Sequence, residues 1–429
     1  MNDTTCITVL PIGEFDTELV RREFEAICSV FEALGAALFV ADAVSDDEGA
    51  RKFGQKFSED DLDLLLIVTL RGLSAPIIET TARTSRVPCL IWPVQGRYAL
   101  PSSALALGAL REAGLPVELH YAPLGQEGSM EALRSITRAA KAYSRLRKSH
   151  IGVVGKLFRN LVACRYDPRL VRVRLGVTLA PITFPELQEA MQSAVGCTGE
   201  VEQLRTEIAA SYMVDAEDVP LLDEGIKLHL ALKRIAQDRQ LDGFAAECWS
   251  GFPTQLGLNP CLGFFEDAYA LACEGDVMLC ISLLTARYLT SQNVYAGDLY
   301  DVSLDGIVTL IHCGGPASLA SNKKEVMLAQ SQLARERGFA TMTCRPLLKP
   351  GLVTMFRLYG RECDKLHVAL GEVVDCDRSS NLTVKVKLNG LRDEFLRECT
   401  GNHYLVVPGD IRRELNLLGK WLKISLFNT

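Results

Sequence analysis

Five short apolar runs, spaced by stretches of helical character, constrain the first third of this chain more than any other feature. CITVLPI, AALFVAD, DLDLLLIVTL, VPCLIWPV and LPVELHY are too short for core helices and read as buried strands. Between them, TELVRREFEAICSVFEALG and SALALGALREAG carry apolar residues at helical spacing, and the first stops at Gly35, a residue suited to a helix C-terminus. Strand and helix in alternation imply an open parallel sheet with helices on both faces. No G-x-G-x-x-G follows the first strand, which argues against a dinucleotide site. Residues 1–148 are therefore expected to form a doubly wound parallel α/β domain.

The basic helix SMEALRSITRAAKAYSRLRKS, whose charges read as a solvated face, leads to a second alternating set over residues 149–290. It opens with HIGVVGKL and continues through LVRVRLGVTLAPI, the helical PELQEAMQSAVG and IKLHLALKRIAQDRQL, and GFAAECW. A second doubly wound α/β domain is expected there. From 291 to 429 the texture becomes β-rich. GIVTLIHC, LVTMFRLYG, KLHVALGEVVDC and LTVKVKLNG are separated by turn residues, as in an antiparallel barrel or sandwich. The chain closes on a strand–helix–strand pattern, HYLVVPGDIRRELNLLGKWLKISLF.

With 429 residues, 48% of them hydrophobic, the chain has ample material for several cores. Its net charge of −7 argues against a nucleic-acid footprint. No apolar run is long enough to span a membrane, and MNDTTCITVL lacks the basic start of a secretory signal. The fourteen cysteines show no C-x-x-C spacing and read as reduced core residues, so the expected location is cytoplasmic.

The chemistry-bearing residues gather at probable strand ends. In ACEGDV, residues 272–277, Asp276 falls where an N-cap belongs for the helix VMLCISLLTARYL, and Glu274 stands two residues before it. Each acid reads equally as a helix-start residue or as a site carboxylate. Glu247 in AECWSGFPTQLGLNPC follows the apolar GFAA, either as a strand-end charge or as a second carboxylate. His312 in IHCGGPAS precedes a tight Gly-Gly-Pro turn, and His403 in GNHYLVVPGD heads another strand. Carboxylates with imidazole suit Mn²⁺, Mg²⁺ or Co²⁺ better than a thiolate-type zinc site. Neither a G-x-S-x-G elbow nor a P-loop occurs.

The order of these pieces resembles the L-fucose isomerase and L-arabinose isomerase superfamily, in particular its shorter fucose-isomerase-like members. The carriers are HIGVVGK, the CW of AECWSGFP, ACEGDV, HCGGPA after GDLYDVSLDGIVTLIHC, KPGLVTMFRL, and GNHYLVVPGDIRRELNLLGKWLKI. The resemblance implies two α/β domains followed by a barrel-like domain. It also implies aldose–ketose interconversion through a cis-enediol at a divalent metal, usually Mn²⁺. Carried over, Asp276 is a ligand, or Glu274 on the arabinose-isomerase alignment, and His403 is the histidine ligand. Glu247 is the nearest counterpart of the remaining acid. It lies 27 positions before Glu274, the spacing of the arabinose-isomerase pair. Fucose-isomerase-like relatives carry that acid just after CW, where this chain has Ser250 and Gly251.

On this reading Glu247, Asp276 and Glu274 share ligand and proton-transfer roles. Trp249, His312, Gly314, Gly315 and Asp298 line the sugar pocket, with Asp301 either a hydroxyl partner or an exposed turn acid. The substrate is a fucose- or arabinose-like sugar, or an anionic one such as a sulfonated sugar. Arg345, Arg357 and Arg361 are available to an anionic group, although each is expected at the surface. The resemblance further implies a homo-oligomer, trimer or hexamer. The competing readings are a sugar-binding or regulatory homologue that lost the chemistry, and an epimerase or lyase using the same enediolate.

Overall fold

The computed structural model describes residues 4–56, 62–85, 87–123, 125–195, 198–264, 269–339 and 341–429. The chain divides into two compact units, Met1–Lys148 with Arg413–Lys423, and Ser149–Arg412 with Ile424–Thr429. The expected division at 290/291 thus falls inside the second unit, and most of the helix Arg412–Leu422 is counted with the first.

Among the described residues the first unit holds five strands, β1 (Cys6–Ile12), β2 (Ala37–Val40), β3 (Leu64–Thr69), β4 (Cys89–Pro93) and β5 (Val117–Leu119). They form one parallel sheet in the order β2-β1-β3-β4-β5. Every residue of β3 and β4 is buried, as expected for strands covered on both faces. AALFVAD is the exception to the expected burial. β2 is an edge strand paired only with β1, and Phe39 and Val40 are 60% and 50% exposed. The helix Glu18–Ala33 starts at Thr17, whose Oγ1 accepts the N–H of Val20, and buries Val20, Phe24, Ile27 and Phe31 along one stripe. Within this unit the C-terminal helix is tied by Glu414, buried and accepting from Ser135, and by Lys420 paired with Glu118.

The second unit continues with β6 (His150–Val154), β7 (Thr178–Ile182), β8 (Met213–Val214), β9 (Gly243–Ala246) and β10 (Ala270–Ala272). After these come β11 (Tyr295–Val302), β12 (Ile307–His312), β13 (Val326–Gln330), β14 (Met342–Pro346) and β15 (Gly351–Tyr359). The last four are β16 (Lys365–Asp377), β17 (Leu382–Leu388), β18 (His403–Pro408) and β19 (Ser425–Asn428). A parallel sheet runs β10-β9-β6-β7, and a small mixed sheet runs β14-β13-β8. Only part of LVRVRLGVTLAPI is strand. Asp167 caps Arg169 N–H at 2.8 Å and Pro168 starts a helical turn that carries VRVRL to Gly176, leaving Thr178–Ile182 for β7. The helix start overrides the β-branched alternation.

The β-rich region is a closed six-stranded antiparallel barrel, β15-β18-β11-β12-β17-β16, sealed by pairing of β15 with β16. β17 alternates buried and half-buried residues along its length. A bulge between Val373 and Asp375 interrupts β16 where it pairs with β17, the kind of irregularity that bends strands around a barrel. Its core includes Tyr295, whose hydroxyl donates to Leu382 O at 2.7 Å.

The helix Val277–Thr290 packs against β9 and β10 of the parallel sheet and against β15 and β18 of the barrel. It is buried at every position except Arg287 and Thr290, which accounts for its apolar residues on all sides. Its N-terminus therefore lies where sheet and barrel meet. Among the described residues no helix is long and apolar enough to cross a membrane.

Candidate metal centre

ACEGDV leaves β10 at Ala272, makes one turn over Cys273–Gly275, and enters the central helix at Val277. Asp276 caps that helix, its Oδ1 accepting the N–H of Leu279 at 3.0 Å. With one oxygen committed to the cap, Oδ2 faces Nδ1 of His403 at 2.9 Å. Cap and site are the same carboxylate.

The turn before it is strained. Glu274 holds φ at +60°, a left-handed conformation that costs a non-glycine residue about 1–2 kcal/mol. Its N–H donates to Cys248 Sγ at 3.1 Å, and its carbonyl accepts the N–H of Phe158 at 2.8 Å. Gly275 follows at φ +69°, and a Cβ there would collide with the backbone of Lys156. The outcome places Glu274 Oε2 3.5 Å from Nε2 of His403.

His403 opens β18, and the antiparallel register sets it directly opposite Asp298 of β11. Asp298 Oδ1 is 3.4 Å from His403 Nε2 and accepts from Asn402 Nδ2 at 2.7 Å. The imidazole thus has a carboxylate on Nδ1 and two more on Nε2. Behind it lies Arg357, which donates to Cys164 Sγ at 3.2 Å and comes within 3.9 Å of Asp276 Oδ2. Asp276, His403, Arg357 and Cys164 are all essentially solvent-free.

Within this buried set one carboxylate stands between two cationic groups. Burial alone would push the Asp276 carboxyl up, but the hydrogen bond and charge of His403, with the Arg357 guanidinium, hold it below its ordinary range. For His403 burial works downward, and the hydrogen bond and charge of Asp276, with Cys164 and Glu274 close by, outweigh it, raising the imidazole well above its usual value.

Two overlapping groups here can hold a metal ion. One is Cys164, Asp276 and His403, fully buried; the other is Glu274, Asp298 and His403. The donor atoms of the second are spaced as ligands of a single metal ion would be. His403 Nε2 and Glu274 Oε2 are buried and without a hydrogen-bond partner. Their separations of 3.5 and 3.4 Å match ligand atoms sharing one ion at about 2.1 Å each, which come to lie roughly 3.0–3.6 Å apart.

Glu247 belongs to neither group. It is buried at the end of β9, where Oε2 accepts the N–H of Lys156 at 3.0 Å and Oε1 accepts from Ser250 at 2.6 Å. Trp249 is half-buried, with the Arg337 guanidinium 4.5 Å from its ring centroid. His312, Gly314 and Gly315 line a cavity of about 80 Å³ together with Cys261 and Cys273. Asp301 is exposed. Arg345 and Arg357, expected at the surface, are each 2% exposed, whereas Arg361 is exposed. Arg345 is drawn inward by four acceptors, including Gln330 O at 2.6 Å and Thr343 Oγ1 at 3.1 Å. Cys164, lacking any motif around it, has no signal in the sequence that would have brought it to this site.

No protein-family model matches the chain, and no curated protein matches its sequence.

Proposed function

We propose that this chain is a divalent-metal-dependent aldose–ketose isomerase of the fucose-isomerase-like kind, acting on a monosaccharide through a cis-enediol. The observation that carries the reading is His403, buried between the two acids of ACEGDV, with Asp276 on Nδ1 and Glu274 on Nε2. The resemblance in motif order agrees with it. The order β2-β1-β3-β4-β5 is one taken by doubly wound sheets, and both parallel sheets are read so here. A cytoplasmic homo-oligomer, trimer or hexamer, is part of the same reading.

Glu274, Asp298 and His403 would hold the ion, most simply Mn²⁺, given two carboxylates and an imidazole. An ion among Cys164, Asp276 and His403 instead would displace the Asp276–His403 hydrogen bond, which the first choice preserves. When bound, the ion polarises the sugar's adjacent oxygens and stabilises the negative charge that develops on them. Asp276 orients the ring and fixes the proton on Nδ1, as the carboxylate partner of a ligating histidine does.

The proton moves between neighbouring carbons on one face of a cis-enediol, so a single carboxylate can remove it and return it. Glu274 is assigned that task through the carboxylate oxygen that would not face the ion. Asp298 is half-exposed and stands where the sugar's hydroxyls would enter. Glu247, with both oxygens engaged, holds the turn at Gly155–Lys156 beside the site.

A second reading, a sugar-binding homologue without turnover, is favoured by one feature. The position after CW carries Ser250, which is itself bonded to Glu247. Protein stripped of metal, reloaded with Mn²⁺ and given a panel of neutral and sulfonated aldoses separates the two. Ketose formation that depends on Mn²⁺, with solvent deuterium entering at the adjacent carbon in D₂O, is expected. Binding without ketose formation on any sugar overturns the isomerase in favour of the binding protein, and carbon–carbon cleavage overturns it in favour of a lyase.

A further inference from the structure

Three loops leave the C-terminal edge of the parallel sheet beside the metal centre, after β6, β9 and β10. That is the edge at which open α/β sheets take their ligands. The loops after β9 and β10 carry Glu247 and the acids of ACEGDV. The loop after β6, residues 155–169, touches the same residues at three points. Lys156 N–H donates to Glu247 Oε2 at 3.0 Å, Phe158 N–H to Glu274 O at 2.8 Å, and Cys164 Sγ accepts from Arg357 at 3.2 Å. None of these contacts uses a charged side chain of the loop. Its charged side chains are Lys156, Arg159, Arg165 and Arg169 against a single acid, Asp167, in a chain whose net charge is −7. All four bases are exposed, and among the described residues none of them makes an ion pair. Arg159 directly follows Phe158, and Arg165 directly follows Cys164, so the bases stand next to the residues that touch the site.

Arg337 adds a further cation. Its guanidinium lies 4.5 Å from the centre of the Trp249 ring and 5.8 Å from that of Phe339. Trp249 in turn packs 5.7 Å from the ring of Phe158. A guanidinium held by aromatic faces keeps its N–H donors free for another partner. Arg337 is exposed, and among the described residues its side chain meets no carboxylate.

We propose that the metal centre serves a monosaccharide carrying a sulfonate or phosphate group, and that Arg337, with Arg159 next to Phe158, receives that group. The sugar itself is taken from the isomerase reading; its charge follows from these residues. Like charges gathered on one loop repel one another and, unpaired, return nothing to the fold. A bound anion supplies the missing partner. The planar fork of arginine matches two oxygens of a tetrahedral oxyanion. Glu274 and Asp298 repel an anion at the metal end, so the charged group belongs at the end of the sugar far from its carbonyl. A positive rim also raises the local concentration of an anionic substrate.

Calorimetric titration of the metal-free full chain with glucitol, glucitol 6-phosphate and 6-deoxy-6-sulfoglucitol, none of which can isomerise, reads the charge preference without turnover. In low salt at least one charged alditol should bind about 10-fold or more tightly than glucitol. The margin should shrink as ionic strength rises. Arg337→Gln should remove most of it, and Arg337→Lys, which keeps the charge and loses the fork, should retain part. Charged alditols that bind no better than glucitol overturn the proposal and leave the isomerase reading to its own Mn²⁺-dependent ketose assay. A preference that appears only with Mn²⁺ bound belongs to the ion and overturns it too, as does a margin that survives intact in both Arg337→Gln and Arg159→Gln. If the charged alditols are preferred while no aldose yields a ketose, the anion recognition stands and the isomerase reading falls.

Discussion

Asp276 and His403 are joined through Oδ2 and Nδ1 at 2.9 Å, and this bond decides which edge of the imidazole is turned to the other two carboxylates. A carboxylate on Nδ1 keeps the proton there and presents Nε2 to Glu274 and Asp298. The bond joins the helix that leaves the parallel sheet to the first residue of a barrel strand. Neither part of the fold contains the site alone.

Replacing Asp276 by Asn separates orientation from capping. Asn caps a helix about as well as Asp, so the helix start should persist. What is lost is the charge on Nδ1, and loss of such an outer partner typically lowers metal affinity by about 10–100-fold. Calorimetric titration of metal-free Asp276→Asn with Mn²⁺ should show a loss of this size with an unchanged far-UV spectrum. Wild-type affinity would remove Asp276 from the site.

Glu274 is expected to trade stability against function. Glu274→Gly relieves about 1–2 kcal/mol of left-handed strain, against about 0.5–1 kcal/mol of added chain entropy. The variant should be more stable by roughly 0.5–1 kcal/mol while losing Mn²⁺-dependent turnover; Glu274→Gln should lose turnover without the gain. Denaturant midpoints read the first effect, ketose assays the second. A glycine variant that turns over sugar at the wild-type rate would show that Glu274 is not the proton carrier.

ACEGDV and GNH were legible because each places its acid or histidine at an element end that sequence signals mark. Asp276 precedes an apolar helix and His403 follows a flexible Gly-Asn. The β texture after 290 was legible through alternation, as in LTVKVKL. Arg357 was misread as a surface residue because a charge in LVTMFRLYG usually faces water. Its burial rests on Cys164 and Asp276, brought to it by the fold, and on Gly401, whose missing side chain leaves room for the guanidinium. The exposed edge of AALFVAD was equally hidden, since strand order sets it and local composition does not. Asp298 could be proposed from GDLYD, but its position opposite His403 is a matter of register between β11 and β18.

Gly275→Ala tests the turn independently of any carboxylate. An alanine must adopt φ near +69° and place its Cβ against the backbone of Lys156. A strained residue of this kind costs about 1–3 kcal/mol. Gly108→Ala is the opposite case. It lies within the helix Ala99–Glu112 with nothing near its Cβ position, so it should stabilise by about 0.5–1 kcal/mol. Equal and opposite shifts in the denaturation midpoints are not required, but their signs are. A neutral Gly275→Ala would mean that the turn accommodates a side chain and does not constrain Glu274.

His367 supplies a pH dependence with a definite sign. It is fully buried in the barrel, with Nδ1 2.7 Å from the Tyr404 hydroxyl and Nε2 3.0 Å from Thr429 Oγ1. Burial, reinforced by the charge of Arg357, lowers it from an ordinary 6.5 to about 4. The unfolded chain therefore takes up this proton at a higher pH than the folded one. The stability contribution is complete above pH 6.5, falls as the pH drops from 6.5 towards 4, and is fully lost below 4. Between pH 7 and 4.5 the loss from this group is about 2.5 kcal/mol. In His367→Gln, which can keep both side-chain partners and cannot titrate, urea unfolding should lose that much less over the same interval. Identical losses in wild type and variant would show that His367 takes its proton in the folded state at an ordinary pH.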